Sequence, residues 1–143
     1  MGTRSNIAYE RPNGQVVVAY CHWDGYPEYN GVMLNKHYNN QKKAEELANQ
    51  GYVSSLKPTI KETLEDRANT EPPIIYHSAH TFYNNVSWQI EWIYLFKNNQ
   101  WYVAKHNRTF DDEYRCVDKG IKENDFTPLV DTLTQLRLQE ESA

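Results

Sequence analysis

The chain has 143 residues and a mass of 16.9 kDa, which suits one domain and is too short for two full ones. Charged residues make up 24% and hydrophobic residues 39%, a composition that excludes an intrinsically disordered chain. The net charge of −4 argues against a strongly basic nucleic-acid binder, and the mean hydropathy of −0.85 argues against a membrane protein.

The first half of the chain predicts a hairpin followed by helices. Residues 6–10 and 15–23 have strand patterns, and the Asn13-Gly14 pair between them favours a tight hairpin turn. Both faces of the second strand are apolar near its start, which predicts a central strand covered on both sides. Helices are expected at residues 27–38, 41–50 and 58–67, with Asn40 as the cap of the second and Gly51 as its stop.

The second half predicts another hairpin and a last helix. Apolar residues alternate from residue 86 to 96, and Asn98-Asn99 suits a two-residue turn before a return strand at 101–106. This register places Phe96 opposite Trp101, Tyr94 opposite Val103 and Glu91 opposite His106. The last helix is expected to have Thr127 as N-cap and Pro128 in its first turn. Its predicted buried stripe consists of Leu129, Val130, Leu133 and Leu136.

These elements predict one α+β domain over residues 1–143. Its sheet is expected to be mostly antiparallel and built from the N-terminal and C-terminal hairpins, with two to four helices packed on it. We expect residues 1–5 and 140–143 to be flexible ends. The N-terminus has no apolar signal-peptide core, which is typical of a cytoplasmic protein. Cys21 and Cys116 are too few for a disulfide framework.

Two segments carry a resemblance to a known family. The sequences TRSNIA at residues 3–8 and YCHWDGYPE at residues 20–28 resemble the N-terminal pattern of a family of small proteins of tailed bacteriophages and prophages. Gly31, Leu34, His37-Tyr38 and the Ser54-Ser55-Leu56 stretch extend the resemblance over about the first 56 residues. It implies a phage-encoded accessory protein that acts in the host cell cytoplasm, and it implies no specific mechanism.

The same segment holds the candidate site. Tyr20, His22 and Asp24 alternate along the predicted strand and would share one face, beside exposed aromatic residues at a turn. An arginine near them could bind an anion, the rings could stack on a planar group, and His22 and Asp24 could provide directional hydrogen bonds. The six residues of this candidate site are Arg4, Tyr20, His22, Trp23, Asp24 and Tyr26.

Three functions stay open at this point. The first is a binding protein for a host protein or a nucleotide-like small ligand, which inhibits or redirects a host process such as a defence. The second is a small hydrolase or nucleotide-modifying enzyme with His22 as general base and Asp24 as its orienting group. The third is a minor virion or assembly component. For Asp24 itself, we favour the alternative that it only braces the turn at Gly25-Tyr26-Pro27.

The sequence also leads to expectations about cofactors, metals and other partners. We expect no cofactor, no duplex nucleic acid and no membrane, while a homodimer stays open. A metal site would need His37 to approach His22 and Asp24, and we expect none. His77 and His80 are expected on a strand, and a pairing of Glu91 with His106 is expected to stabilise the sheet.

Overall fold

The fold is described from a computed structural model that covers residues 3–118 and 121–142. Nine strands and five α-helices lie in this part of the chain. The strands are β1 (Ser5–Glu10), β2 (Val16–Cys21), β3 (Tyr52–Val53), β4 (Ile74–Tyr76), β5 (Trp92–Lys97), β6 (Gln100–Lys105), β7 (Thr109–Phe110), β8 (Cys116–Asp118) and β9 (Thr127–Pro128). The helices are α1 (Val32–His37), α2 (Gln41–Ala48), α3 (Ile60–Glu65), α4 (Ala79–Asn84) and α5 (Leu129–Ser142).

Both predicted hairpins form. Strands β1 and β2 pair antiparallel around Gly14, which has a φ of +91°. Strands β5 and β6 pair antiparallel, with Phe96 opposite Trp101 and Tyr94 opposite Val103 as predicted. Asn98 and Asn99 both have positive φ, at 51° and 64°, which is the geometry of the predicted two-residue turn.

The two hairpins join side by side through a parallel pairing of β1 with β5. The resulting seven-stranded sheet has the order β3-β2-β1-β5-β6-β9, and β4 pairs with the first half of β2. Four of its six strand pairings are antiparallel, so the predicted α+β fold is confirmed. Strands β7 and β8 form a separate two-stranded sheet.

The main sheet is covered on both faces, as predicted for its second strand. One face packs Ile7, Val17 and Tyr94 against residues of α1, α2 and α5, such as Leu47 and Leu129. The other face packs a second apolar cluster, which contains Ala8, Val16, Val18, Phe82, Ile90, Ile93, Leu95 and Phe126. Because β1 and β2 are buried on both faces, their ends can hold a loop in a fixed position.

The predicted long strand at residues 86–96 is wrong in its first half. The strand begins only at Trp92, because a turn with an Ile90-to-Ser87 backbone hydrogen bond of 3.0 Å interrupts the extended chain. Val86 and Ile90 still cover the second face of the sheet, whereas Trp88 is 49% exposed and does not belong to the core.

The helices depart from expectation in number and position. Five helices form where two to four were expected, and α4 contains His80 where a strand was expected, because Ser78 caps a helix there. The predicted helix at 27–38 is divided into a π-helical turn at Pro27–Gly31 and α1. Asn40 caps α2 as predicted, through its side-chain oxygen and the Lys43 backbone NH at 2.9 Å.

The ends of the chain give a mixed result. Ser5 is fully buried at the start of β1, and residues 140–142 continue α5, while residues 1, 2 and 143 lie outside the described residues. Thr127 and Pro128 pair with β6, so the last helix starts at Leu129 and Thr127 is not its cap. Val130, predicted to be buried, is exposed. No helix within residues 3–118 and 121–142 is long and apolar enough to cross a membrane.

Candidate functional site

The hairpin of β1 and β2 brings the candidate residues to one end of the sheet. Its register pairs Ser5 with Cys21, so Arg4 and His22 continue the two strands beside each other. Tyr20 lies two residues before His22 and shares its face of the sheet. The predicted alternation thus holds for Tyr20 and His22, and the register of the hairpin adds Arg4, whereas Asp24, expected on the same face, pairs with Tyr26.

The hydroxyl group of Tyr20 lies near two of the candidate residues. Its oxygen is 2.7 Å from Nδ1 of His22, and the positive charge of Arg4 lies close enough to lower the pKa of this hydroxyl. Partial burial raises the pKa of Tyr20 above its ordinary value, and Arg4 opposes this by favouring the charged form. Tyr20 is therefore a neutral hydroxyl group at physiological pH.

Two further aromatic rings lie next to Tyr20 and His22. The rings of His22 and Trp23 meet edge to face, with centroids 4.6 Å apart. The ring of Tyr52 lies 5.6 Å from that of Tyr20. Tyr52 is absent from the six predicted residues, because it reaches the site through β3, a two-residue strand that is too short to show an alternating pattern.

Asp24 and Tyr26 form a separate pair. The Tyr26 hydroxyl donates to the Asp24 carboxylate at 2.8 Å, and this bond raises the pKa of Tyr26. Asp24 has a φ of 58°, in the left-handed region that aspartate tolerates better than most residues. His22 and Asp24 thus hydrogen-bond to different tyrosines, so the arrangement is not that of an Asp-oriented histidine base.

Backbone hydrogen bonds anchor the loop at residues 22–26, which we call the 22–26 loop. The Trp23 NH donates to the Ser54 carbonyl at 2.9 Å, and the Gly25 NH donates to the Thr3 carbonyl at 2.9 Å. The buried hydroxyl of Tyr94 donates to the Gly25 carbonyl at 2.6 Å. Three parts of the chain that are distant in sequence therefore fix this loop.

A buried polar cluster lies where this loop meets the sheet. The side-chain amide of Asn30 donates to Ser5 Oγ at 3.2 Å and to Cys21 Sγ at 3.4 Å. The Cys21 thiol in turn donates to the Trp23 carbonyl at 3.4 Å. Burial raises the pKa of Cys21 to about 11, so it stays a thiol and braces the loop at neutral pH. The side chain of Cys116 lies outside the described part of the chain.

The rings on this anchored loop face solvent. Trp23 is 45% exposed and Tyr26 is 37% exposed, although the backbone that carries them is hydrogen-bonded into the protein. Five cavities of about 220 to 300 Å³ lie on the described residues, and they are lined by residues other than the six candidates. The candidate residues are therefore distinguished by their exposed rings and not by any of these five cavities.

His77 and His80 have partners within their own segment. Nε2 of His77 lies 3.2 Å from the Thr81 hydroxyl, and Nε2 of His80 lies 3.1 Å from the Asn84 amide. Within residues 3–118 and 121–142, no group of three His, Cys, Asp or Glu residues could hold a metal ion.

Glu91 precedes β5 and His106 follows β6. The His106 NH donates to the Glu91 carbonyl at 2.9 Å. The Glu91 carboxylate pairs with Arg108 at 3.7 Å, and Nδ1 of His106 lies 2.9 Å from the Ile90 carbonyl. The two residues are thus adjacent through their backbones, and each side chain has a contact with another residue.

Comparison with known proteins adds no relative. No protein-family model matches the chain, and no curated protein or solved structure matches it significantly.

Proposed function

We propose that the chain is a binding protein that recognises another protein through the 22–26 loop and the adjoining Arg4 and Tyr20. The observation that carries this proposal is an exposed tryptophan, Trp23, on a backbone that is hydrogen-bonded to the rest of the protein. Exposed tryptophan and tyrosine residues contribute most of the binding energy in many protein interfaces. A loop that is already ordered also loses less entropy on binding.

The exposed rings and the position of the cavities favour a protein over a small molecule. Small-ligand sites are usually clefts that bury most of the ligand, and the five cavities described above are lined by other residues. Exposed aromatic residues beside an arginine have the composition of a protein interface. The nucleotide-like ligand is therefore the weaker version of the binding hypothesis.

The resemblance of residues 3–8 and 20–28 to tailed-phage proteins supports a bacterial host protein as the partner. We propose accordingly that the chain is a phage accessory protein of the host cytoplasm, which inhibits or redirects a host process such as a defence. The catalytic alternative has less support, because His22 and Asp24 hydrogen-bond to different tyrosines.

The proposal is tested by affinity capture from bacterial lysate with the wild-type protein and two single variants. Trp23→Ala removes the proposed contact, and Trp88→Ala removes a tryptophan of similar exposure, 49%, as a matched control. We expect a protein that the wild type and Trp88→Ala capture and that Trp23→Ala does not. Equal capture by Trp23→Ala, or capture of nothing by the wild type, would overturn the proposal.

A further inference from the structure

Arg4 and His22 bring hydrogen-bond donors side by side at the start of the 22–26 loop. Arg4 is half-buried, its charge acts on the Tyr20 hydroxyl, and no ion pair within residues 3–118 and 121–142 joins it to a carboxylate. Glu91, its acidic neighbour in the sheet, pairs instead with Arg108 at 3.7 Å. A guanidinium group has five N–H donors, and since no carboxylate among the described residues pairs with that of Arg4, these donors are open to a ligand.

The contact between Tyr20 and His22 bears on which nitrogen of the imidazole carries the proton. The Tyr20 oxygen and Nδ1 of His22 are 2.7 Å apart, and which atom donates depends on the tautomer of the ring. Arg4 can only donate, so its nearby charge favours a Tyr20 hydroxyl that gives its proton to Nδ1. In that tautomer the proton of the neutral ring is on Nε2, which has no hydrogen bond within residues 3–118 and 121–142.

We infer that Arg4 and His22 form an oxyanion subsite within the proposed interface, and that it takes a carboxylate from an acidic side chain of the partner protein. The guanidinium supplies charge and paired donors, and His22 adds a directed Nε2–H donor, which is the combination that a carboxylate accepts. Tyr20 is a positioning residue, because its hydroxyl contacts His22 and lies near the charge of Arg4. Asp24 is not part of the subsite, since Tyr26 occupies its carboxylate.

The inference rests on the proposed function for the source of the carboxylate but can be tested without the partner. The first measurement is the tautomer of His22, read at pH 8 from long-range ¹⁵N–¹H spectra of the full chain. We expect the Nε2–H tautomer in the wild type, and a partial shift towards Nδ1–H in Tyr20→Phe. This variant removes the hydroxyl and keeps the ring beside Tyr52. An Nδ1–H tautomer in the wild type would overturn the inference.

The second measurement is titration with acetate and with inorganic phosphate at constant ionic strength. We expect acetate to shift the His22 and Arg4 side-chain signals saturably, with affinity at least fivefold weaker in Arg4→Gln. Arg11→Gln is the matched control, because Arg11 lies at the other end of β1 and donates to Gln15 at 2.9 Å. Its acetate affinity is expected to stay within twofold of the wild type.

The outcomes separate this inference from the proposed function. No saturable acetate shift, or the same acetate affinity in Arg4→Gln, overturns the subsite while loss of capture by Trp23→Ala would still support the interface. Saturable binding of phosphate without acetate overturns the assignment of a carboxylate. Equal shifts at Arg11 and Arg4 mean an adventitious ion only and overturn the subsite.

Discussion

Gly25 is the residue that allows the 22–26 loop to approach the start of β1. A Cβ atom at this position would lie 2.8 Å from both Ser5 Cβ and the Thr3 carbonyl oxygen, which is closer than real Cβ contacts. We expect Gly25→Ala to reduce the free energy of unfolding by about 1–3 kcal/mol, because the loop must move away from β1. Urea unfolding measures this change. An unaltered stability would show that Gly25 does not lie this close to Ser5 and Thr3 in solution.

Cys21 makes stability depend on pH in the alkaline range. Burial raises the pKa of its thiol from 9.0 to about 11, so the unfolded chain loses this proton at a lower pH than the folded protein. The unfolded state therefore gains stability as pH rises, and folding stability falls. Between pH 8 and 10 we expect a loss of about 1 kcal/mol from this group.

The check is the difference in pH slope between the wild type and Cys21→Ala, each measured by urea unfolding at several pH values. The tyrosines and lysines titrate in both proteins, so their contributions cancel in the comparison. The wild type should lose stability more steeply above pH 8, and parallel curves would contradict the assignment.

How much of the site could be predicted depends on how each residue is placed. The period-two alternation of β2 was sufficient to bring Tyr20 and His22 together, and a hairpin was sufficient to bring Arg4 to them. The pairing of Asp24 with Tyr26 was not predictable, because it depends on a left-handed φ within a loop. Short-range patterns carry no information on such a conformation.

At the scale of elements, the turn between β5 and β6 gives a direct test of turn chemistry. Asn98 and Asn99 both adopt a left-handed φ, which asparagine and glycine tolerate and β-branched residues do not. We expect Asn99→Val to destabilise the protein by about 1–2 kcal/mol. Asn99→Gly should change stability by no more than about 0.5 kcal/mol in either direction, since glycine suits this turn.

Thermal and urea unfolding of these two variants decide the prediction. If Asn99→Val were as stable as Asn99→Gly, the turn in solution would not have the positive φ values that pair Phe96 with Trp101.

The last helix depends on its first turn for attachment. Leu129 is fully buried in the core, whereas Val130, its neighbour, is exposed. We expect Leu129→Ala to cost about 2–5 kcal/mol, and Val130→Ala to change stability by less than about 0.5 kcal/mol. Unfolding free energies of the two variants measure the contrast, and similar costs would mean that the helix packs with a different face.

A long stretch of alternating apolar residues was the least reliable basis for predicting the bounds of a strand. The pattern from Val86 to Phe96 is continuous, yet the turn at residues 87–90 divides it into a covering segment and a strand. Both halves bury apolar side chains, so the periodicity cannot distinguish them. The tight turn at Asn98-Asn99 was predictable because its residues favour one backbone geometry.

At the scale of the whole molecule, the parallel pairing of β1 with β5 explains why the site forms where it does. It places the start of β1, the end of β2 and the start of β5 at one end of the sheet, and the Glu91 NH donates to the Arg4 carbonyl at 2.9 Å there. The apolar clusters on both faces hold these strands in place. The proposed interface therefore lies at the ends of strands that are buried on both faces of the sheet.

In this arrangement the proposed binding role of Trp23 is separate from its contribution to the fold. Its backbone is anchored by Ser54 and Cys21, while almost half of its side chain is exposed. Removal of the ring should therefore leave the folded structure intact and remove only what the ring contacts in a partner.

The most direct test of this account measures both properties of Trp23→Ala against the captured host protein. The account predicts an unfolding free energy within about 0.5 kcal/mol of the wild type and an affinity at least about thirtyfold weaker. A stability loss above about 2 kcal/mol with unchanged affinity would contradict it, because Trp23 would then serve the fold and not the interface.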